Sequence, residues 1–177
     1  DMATLMGQEG DTGNKVNLDG NFTATVDAGS VAAADLTTIS AKTDGNITAT
    51  DVTALTGTAA AINTLVSDQA DSGDGVNLDT NYTATITDTN VAASVLNTLN
   101  TNVPGLVTAT TVTNITGTAS AMATLMGNEG DSGNKINLDG DFTATVDAGS
   151  VAAADLTTIS GKTTGLVTAS TVTTITG

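Results

Sequence analysis

Three stretches of this sequence hold the residue types that a hard cation would need: residues 10–19 (GDTGNKVNLD), 71–79 (DSGDGVNLD) and 130–139 (GDSGNKINLD). Ca²⁺ takes six to eight oxygens from carboxylates, amides and backbone carbonyls. The candidate ligands are therefore Asp11 and Asp19, Asp71, Asp74 and Asp79, and Asp131 and Asp139. The spacing fits neither the EF-hand loop nor the Gly-rich nonapeptide of calcium β-rolls, and Lys15 and Lys135 sit inside two of the stretches. The middle stretch, with Asp74 where the others have Asn14 and Asn134 and with no lysine, is the best of the three. The competing reading, which these residue types favour, is that Asp, Asn and Gly serve turn geometry and solubility.

A second pattern is an apolar residue followed by Thr-Ala-Thr, at Phe22, Ile47, Tyr82, Val107 and Phe142, and by Thr-Ala-Ser at Val167. On stacked strands, Thr23 and Thr25, Thr48 and Thr50, Thr83 and Thr85, and Thr108 and Thr110 would form a grid of about 6.7 by 4.8 Å. Such a grid resembles those of ice-binding β-solenoids, although threonine suits any solvated strand face. The Asn-x-Thr triplets at Asn21, Asn46, Asn81 and Asn114 match glycosylation acceptors, as expected by composition alone in so Asn- and Thr-rich a chain. Enzyme chemistry has little to draw on: the chain has no histidine, cysteine or arginine, and its carboxylates sit in repeated, loop-like contexts. No catalytic role is expected.

The 19 acidic residues against four lysines give a net charge of −15, which repels nucleic acid and anionic lipid. No run approaches the roughly 20 apolar residues of a membrane span. With two Phe and one Tyr as the only aromatics, any core is thin and aliphatic, as in elongated repeat proteins. The absence of cysteine fits a bacterial exported protein.

The elements that would position these residues are set by repetition. Residues 1–57, 61–117 and 121–177 align without gaps at a 60-residue period; the first and third share 44 of 57 residues, the first and second only 25. The Thr-Ala-Thr motifs recur at alternating spacings of 25 and 35, so each period holds two turns. Periods of 20–50 residues mark solenoids and arrays. The reading is one solenoid segment of three repeats (1–60, 61–120, 121–177), cut from a longer repeat chain because neither end carries a polar cap.

Within a turn, residues 22–26 alternate as a half-buried strand, with Phe22, Ala24 and Val26 inward. Gly45, Gly105 and Gly165 supply the preceding turns. Residues 30–40 and 91–100 then switch to helical spacing, with Ser30 or Asn90 as N-caps. Residues 59–66 and 119–126 give a second helix, and Leu36, Ile39, Ile62 and Leu65 with their repeats form the core. The expected fold is α/β, a right-handed solenoid of stacked strand, turn and short-helix coils with a parallel sheet; the alternative is an all-β solenoid.

Residues 31–42 (VAAADLTTISAK), 108–114 (TATTVTN) and 115–119 resemble tandem repeats of very large secreted bacterial proteins, cyanobacterial ones in particular, that look like cell-surface or extracellular-matrix polymers. The resemblance implies an exported structural or adhesive role and carries over no site residue. The expected function is a rigid extracellular spacer or filament segment whose partners are copies of itself, end to end or laterally, or a surface polysaccharide. The alternatives are a calcium-stabilised adhesin repeat and an ice-binding threonine array.

Overall fold

The computed structural model describes residues 1–10, 13, 15–69 and 75–177. The chain is mixed α/β, with parallel sheets and helices alternating with strands. The elements begin with α1 (Met2–Met6), β1 (Ala24–Thr25), β2 (Gly29–Ala32), α2 (Ala33–Ser40), β3 (Ile47–Ala49) and β4 (Val52–Gly57). They continue with α3 (Ala59–Asp68), β5 (Val76–Leu78), β6 (Thr83–Ile86), β7 (Asn90–Ala92), α4 (Ala93–Asn102), β8 (Val107–Ala109) and β9 (Asn114–Gly117). The last are α5 (Ala119–Gly127), β10 (Ile136–Leu138), β11 (Thr143–Val146), β12 (Gly149–Ala152), α6 (Ala153–Ser160), β13 (Val167–Thr168) and β14 (Val172–Thr176). The helices exclude the all-β alternative. They are short, and helices of this length need tertiary packing to persist; each packs on the helix before it in sequence.

Strand pairing obeys one rule. Segments between helices hold two strands each, except those between α3 and α4 and between α5 and α6, which hold three. β3 and β4 pair back onto β1 and β2, and β5 and β6 pair onto β3 and β4, while β7 starts a new column. β8 and β9 then pair onto β6 and β7, β10 and β11 onto β8 and β9, and β12 starts again. β13 and β14 pair onto β11 and β12. Each long segment has one strand more than a short one, so every column drifts sideways. The five-stranded sheet β2-β4-β6-β8-β10 is the longest column, beginning as the last strand of its segment and ending as the first.

This corrects the expected stacking of the Thr-Ala-Thr strands. They pair across the 25-residue spacing, as Ala24 with Ile47, Ala84 with Val107 and Ala144 with Val167. They do not pair across the 35-residue spacing, because the extra strands β5 and β10 occupy those places: Ile47 faces Val76 and Val107 faces Ile136. The expected caps are also corrected. Ser30 and Asn90 lie inside β2 and β7, whose ladders run on to Ala32 and Ala92, so α2 and α4 start at Ala33 and Ala93 with no side-chain cap. In α3 and α5 the hydroxyls of Thr58 and Thr118 accept from the amides of Ala61 and Ala121.

The core is aliphatic, as expected. Leu36, Ile62, Leu65, Leu96, Leu99 and Leu125 are fully buried, and Ile39 is nearly so. The threonine hydroxyls of these helices bond back to carbonyls four residues earlier, as Thr37 does to Ala33 and Thr98 to Ser94, which satisfies the hydroxyls while packing holds the helices. Gly45, Gly105 and Gly165 have a different role from the one expected. Their Cα atoms press on the layer beneath: a Cβ at Gly105 would lie 2.6 Å from the carbonyl oxygen of Tyr82, and one at Gly45 2.3 Å from that of Phe22. Close approach, rather than turn conformation, demands glycine there.

Candidate functional site: acidic inserts and outer hydroxyl rows

The candidate cation ligands divide into two groups. Asp11, Asp71 and Asp74 lie outside the described residues. Asp19, Asp79, Asp131 and Asp139 are described, and among the described residues no three acidic groups gather where they could hold an ion. Two of these carboxylates serve their own turns. Asp19 Oδ1 accepts from the amide of Asn21 at 3.2 Å, and Asp79 Oδ1 from the amide of Thr80 at 2.6 Å. The first is an Asx-type contact, which stabilises a turn without any ligand; the second is a bond to the adjacent amide.

The inserts also cover a sheet edge. In the third repeat the amide of Gly130 donates to Ile136 O at 2.9 Å, and the amide of Ile136 donates to Asn128 O at 3.1 Å. The chain thereby forms a parallel bridge, Glu129 with Ile136, on the side of β10 away from β8. Gly10, Gln8 and Val16 repeat the arrangement in the first repeat. An unpaired strand edge is a template for aggregation, and β10 is where a strand column ends. The insert folds back and covers that end.

A linked set of substitutions sits beneath the same loops. In the first and third repeats, Glu9 pairs with Lys42 at 3.5 Å and Glu129 with Lys162 at 3.1 Å, and the aromatic residues of these repeats are Phe22 and Phe142. In the middle repeat these positions are Gln69, Asn102 and Tyr82. The Tyr82 hydroxyl lies 3.1 Å from Gln69 Oε1 and 3.4 Å from the carbonyl oxygen of Asn102. A surface ion pair thus gives way to a phenol bridging two neutral acceptors. Burial pushes the Tyr82 phenol up from 10.0 to about 12.

The outer sheet face carries hydroxyls in single file. Thr56, Thr85 and Thr108 share one row, and Thr116, Thr145 and Thr168 another. Thr50 and Thr110 lie in the turns after β3 and β8, so the two-column grid proposed for ice binding does not form there. Several hydroxyls are engaged by the fold itself: Thr111 with Ile86 O at 2.7 Å, Thr113 with Thr89 O at 3.2 Å, and Thr143 with Thr113 O at 3.0 Å. Asn114 joins neighbouring layers, donating from Nδ2 to Asn90 Oδ1 at 3.2 Å and accepting at Oδ1 from Thr143 at 3.0 Å.

An open cavity of about 500 Å³ is lined by Gly20, Ser40, Lys42, Asp44 and Asp68 among others. Its cation is held by Glu9, and no nucleophile there lies against a base. Among the described residues no helix is long and apolar enough to cross a membrane. Against protein-family profiles, curated proteins and solved structures, the chain shows no match.

Proposed function

We propose that this chain is a structural repeat segment, one solenoid of three 60-residue repeats, that serves as a rigid spacer in an exported bacterial surface or matrix protein and performs no catalysis. The observation that carries this reading is the order of contacts: helices follow one another in sequence order, and every strand pairs with strands of the adjacent segments. Such a molecule is quasi-one-dimensional, so adding repeats lengthens it without changing its cross-section. The lack of cysteine and the net charge of −15 suit an exported, soluble surface. The functional property is then length and stiffness.

Small-angle scattering on chains of three, five and seven repeats tests this. The maximum dimension should rise by a constant increment, about 10 Å for each 60-residue repeat, from two strand spacings of about 4.8 Å. Growth of the radius of gyration as roughly the 0.38 power of length, as for compact domains, would refute the spacer.

A further inference from the structure

The spacer role makes no use of the four Asn-x-Thr triplets, and the fold treats them unequally. Asn21 and Asn81 lie in the turns that lead into β1 and β6, and Asn46 stands just before β3. All three are exposed. Asn81 is the interior counterpart of Asn21, and Asp141, at the same position in the third repeat, is exposed too, so the exposure belongs to the position rather than to an end of the chain. Asn114 differs. It stands in β9, which pairs with β7 on one side and β11 on the other. Its Nδ2 donates to Asn90 Oδ1 at 3.2 Å and its Oδ1 accepts from Thr143 at 3.0 Å, so neighbouring layers engage both ends of the amide.

Composition accounts for the triplets but not for what precedes them. Asp19, Asp44 and Asp79 each stand two residues before an exposed asparagine, whereas Val112 stands two residues before Asn114. The Asp19 and Asp79 carboxylates bond within their own turns through Oδ1. Each thereby holds an anion at a constant offset from the side-chain amide, a handle for a cationic group of an enzyme that works on that amide. Thr23 and Thr83, which complete the triplets of Asn21 and Asn81, are exposed as well, so amide and hydroxyl are open together.

We propose that Asn21, Asn46 and Asn81 are glycosylated, by a transferase whose donor is an oligosaccharide carried on a lipid diphosphate and which also holds the preceding aspartate. Asn Nδ2 forms a bond to the anomeric carbon of the first sugar while the bond from that carbon to the diphosphate oxygen breaks. The lipid diphosphate leaves with the electron pair, and one amide proton passes to a base of the transferase. The proposal rests on the exported reading of the chain, and adds to it a covalent, hydrated coat on exposed turns. Residues 1–120 then carry three glycans, and residues 121–177, with Asp141 and Leu166 in the places of Asn21 and Asn46, carry none.

Peptide mass spectrometry of the protein isolated from the cells that make it tests this. The expected result is a sugar mass on the peptides of Asn21, Asn46 and Asn81 and none on that of Asn114. In the same cells Asn81→Gln should remove one glycan. Asp79→Asn keeps an Oδ1 acceptor for the Thr80 amide but removes the charge, and should cut occupancy of Asn81 at least ten-fold while leaving Asn21 unchanged. Asp141→Asn, which completes a triplet with Thr143 behind Asp139, should add a glycan in the third repeat. Bare asparagines at all three positions, occupancy at Asn114 equal to that at Asn81, or unchanged occupancy of Asn81 in Asp79→Asn overturns the proposal. Protease digestion of intact cells reads the location of the chain independently. Bare asparagines on a chain that the protease reaches sink the glycosylation alone, and a chain that stays inside the cells sinks the exported reading with it.

Discussion

Leu36, Leu96 and Leu156 occupy the same position in three copies of one helix, and they differ in what lies above them. Leu96, in α4, is fully buried between α3 and α5. Leu156, in α6, packs on α5 with its other side open and is only partly buried. Replacing a core leucine by alanine removes its transfer free energy and leaves a cavity, a cost of about 2–5 kcal/mol. Leu96→Ala should therefore cost about 3 kcal/mol. Leu156→Ala loses roughly half the buried surface and leaves an open dent instead of a cavity, so only part of the transfer term remains, about 1 kcal/mol. Urea unfolding followed by circular dichroism measures both. Hydrogen exchange of the α4 and α6 amides then localises the loss. A Leu156→Ala cost equal to or above that of Leu96→Ala would refute the ordering of layers from which these burial values arise.

Other positions give sharper local tests. Gly105→Ala should destabilise by about 1–3 kcal/mol, because its Cβ would sit 2.6 Å from a backbone oxygen; Gly140→Ala, with nothing within 4 Å, should be near neutral in the same urea assay. The Asp88 carboxylate accepts from the amide of Ala59 at 2.6 Å and caps α3 from the next segment, so Asp88→Ala should lower the urea midpoint by about 1 kcal/mol of stability. Ala148 holds the corresponding place beside Ala119, and Ala148→Asp should raise stability by a similar amount; a fall would refute the capping account. Because folding raises the Tyr82 phenol from 10.0 to about 12, the neutral form is favoured by the fold. Its contribution is complete below pH 10 and is lost as pH rises toward 12, so Tyr82→Phe should flatten the alkaline fall in thermal melting. Tyr82→Phe should also cost about 1 kcal/mol at neutral pH by removing the hydrogen bond to Gln69. Adding Gln69→Glu and Asn102→Lys, which rebuilds the set found around Phe22 and Phe142, should recover part of it.

Much of the fold was legible because the chain writes it nearly three times. Leu36, Ile39, Ile62 and Leu65 keep helical spacing in each copy, so their burial followed from period alone. The switch from Phe22, Glu9 and Lys42 to Tyr82, Gln69 and Asn102 was also visible on aligning the repeats, although its meaning needed the distances. The strands β2, β4, β5, β7, β9, β10, β12 and β14 were missed, because sequences such as Ser-Val-Ala-Ala, Thr-Asn-Ile-Thr and the Val-Asn-Leu of an acidic insert read as helix start or loop until a partner strand takes their backbone groups. The candidate cation site was legible only as composition. Asp19 and Asp79 turned out to bond within their own turns, a choice that depends on local backbone angles rather than on residue type.

By itself, the sequence determined the 60-residue period, the alternation of apolar and hydroxyl residues, the aliphatic core and the strong negative charge, all of them properties of spacing and composition. Only the tertiary structure decided which strand lies beside which. A segment of three strands carries one more than a segment of two, so the columns drift, and in the third repeat the insert closes the edge of β10 where a column ends; that geometry depends on hydrogen bonds between residues 23 to 30 positions apart, which no local pattern specifies.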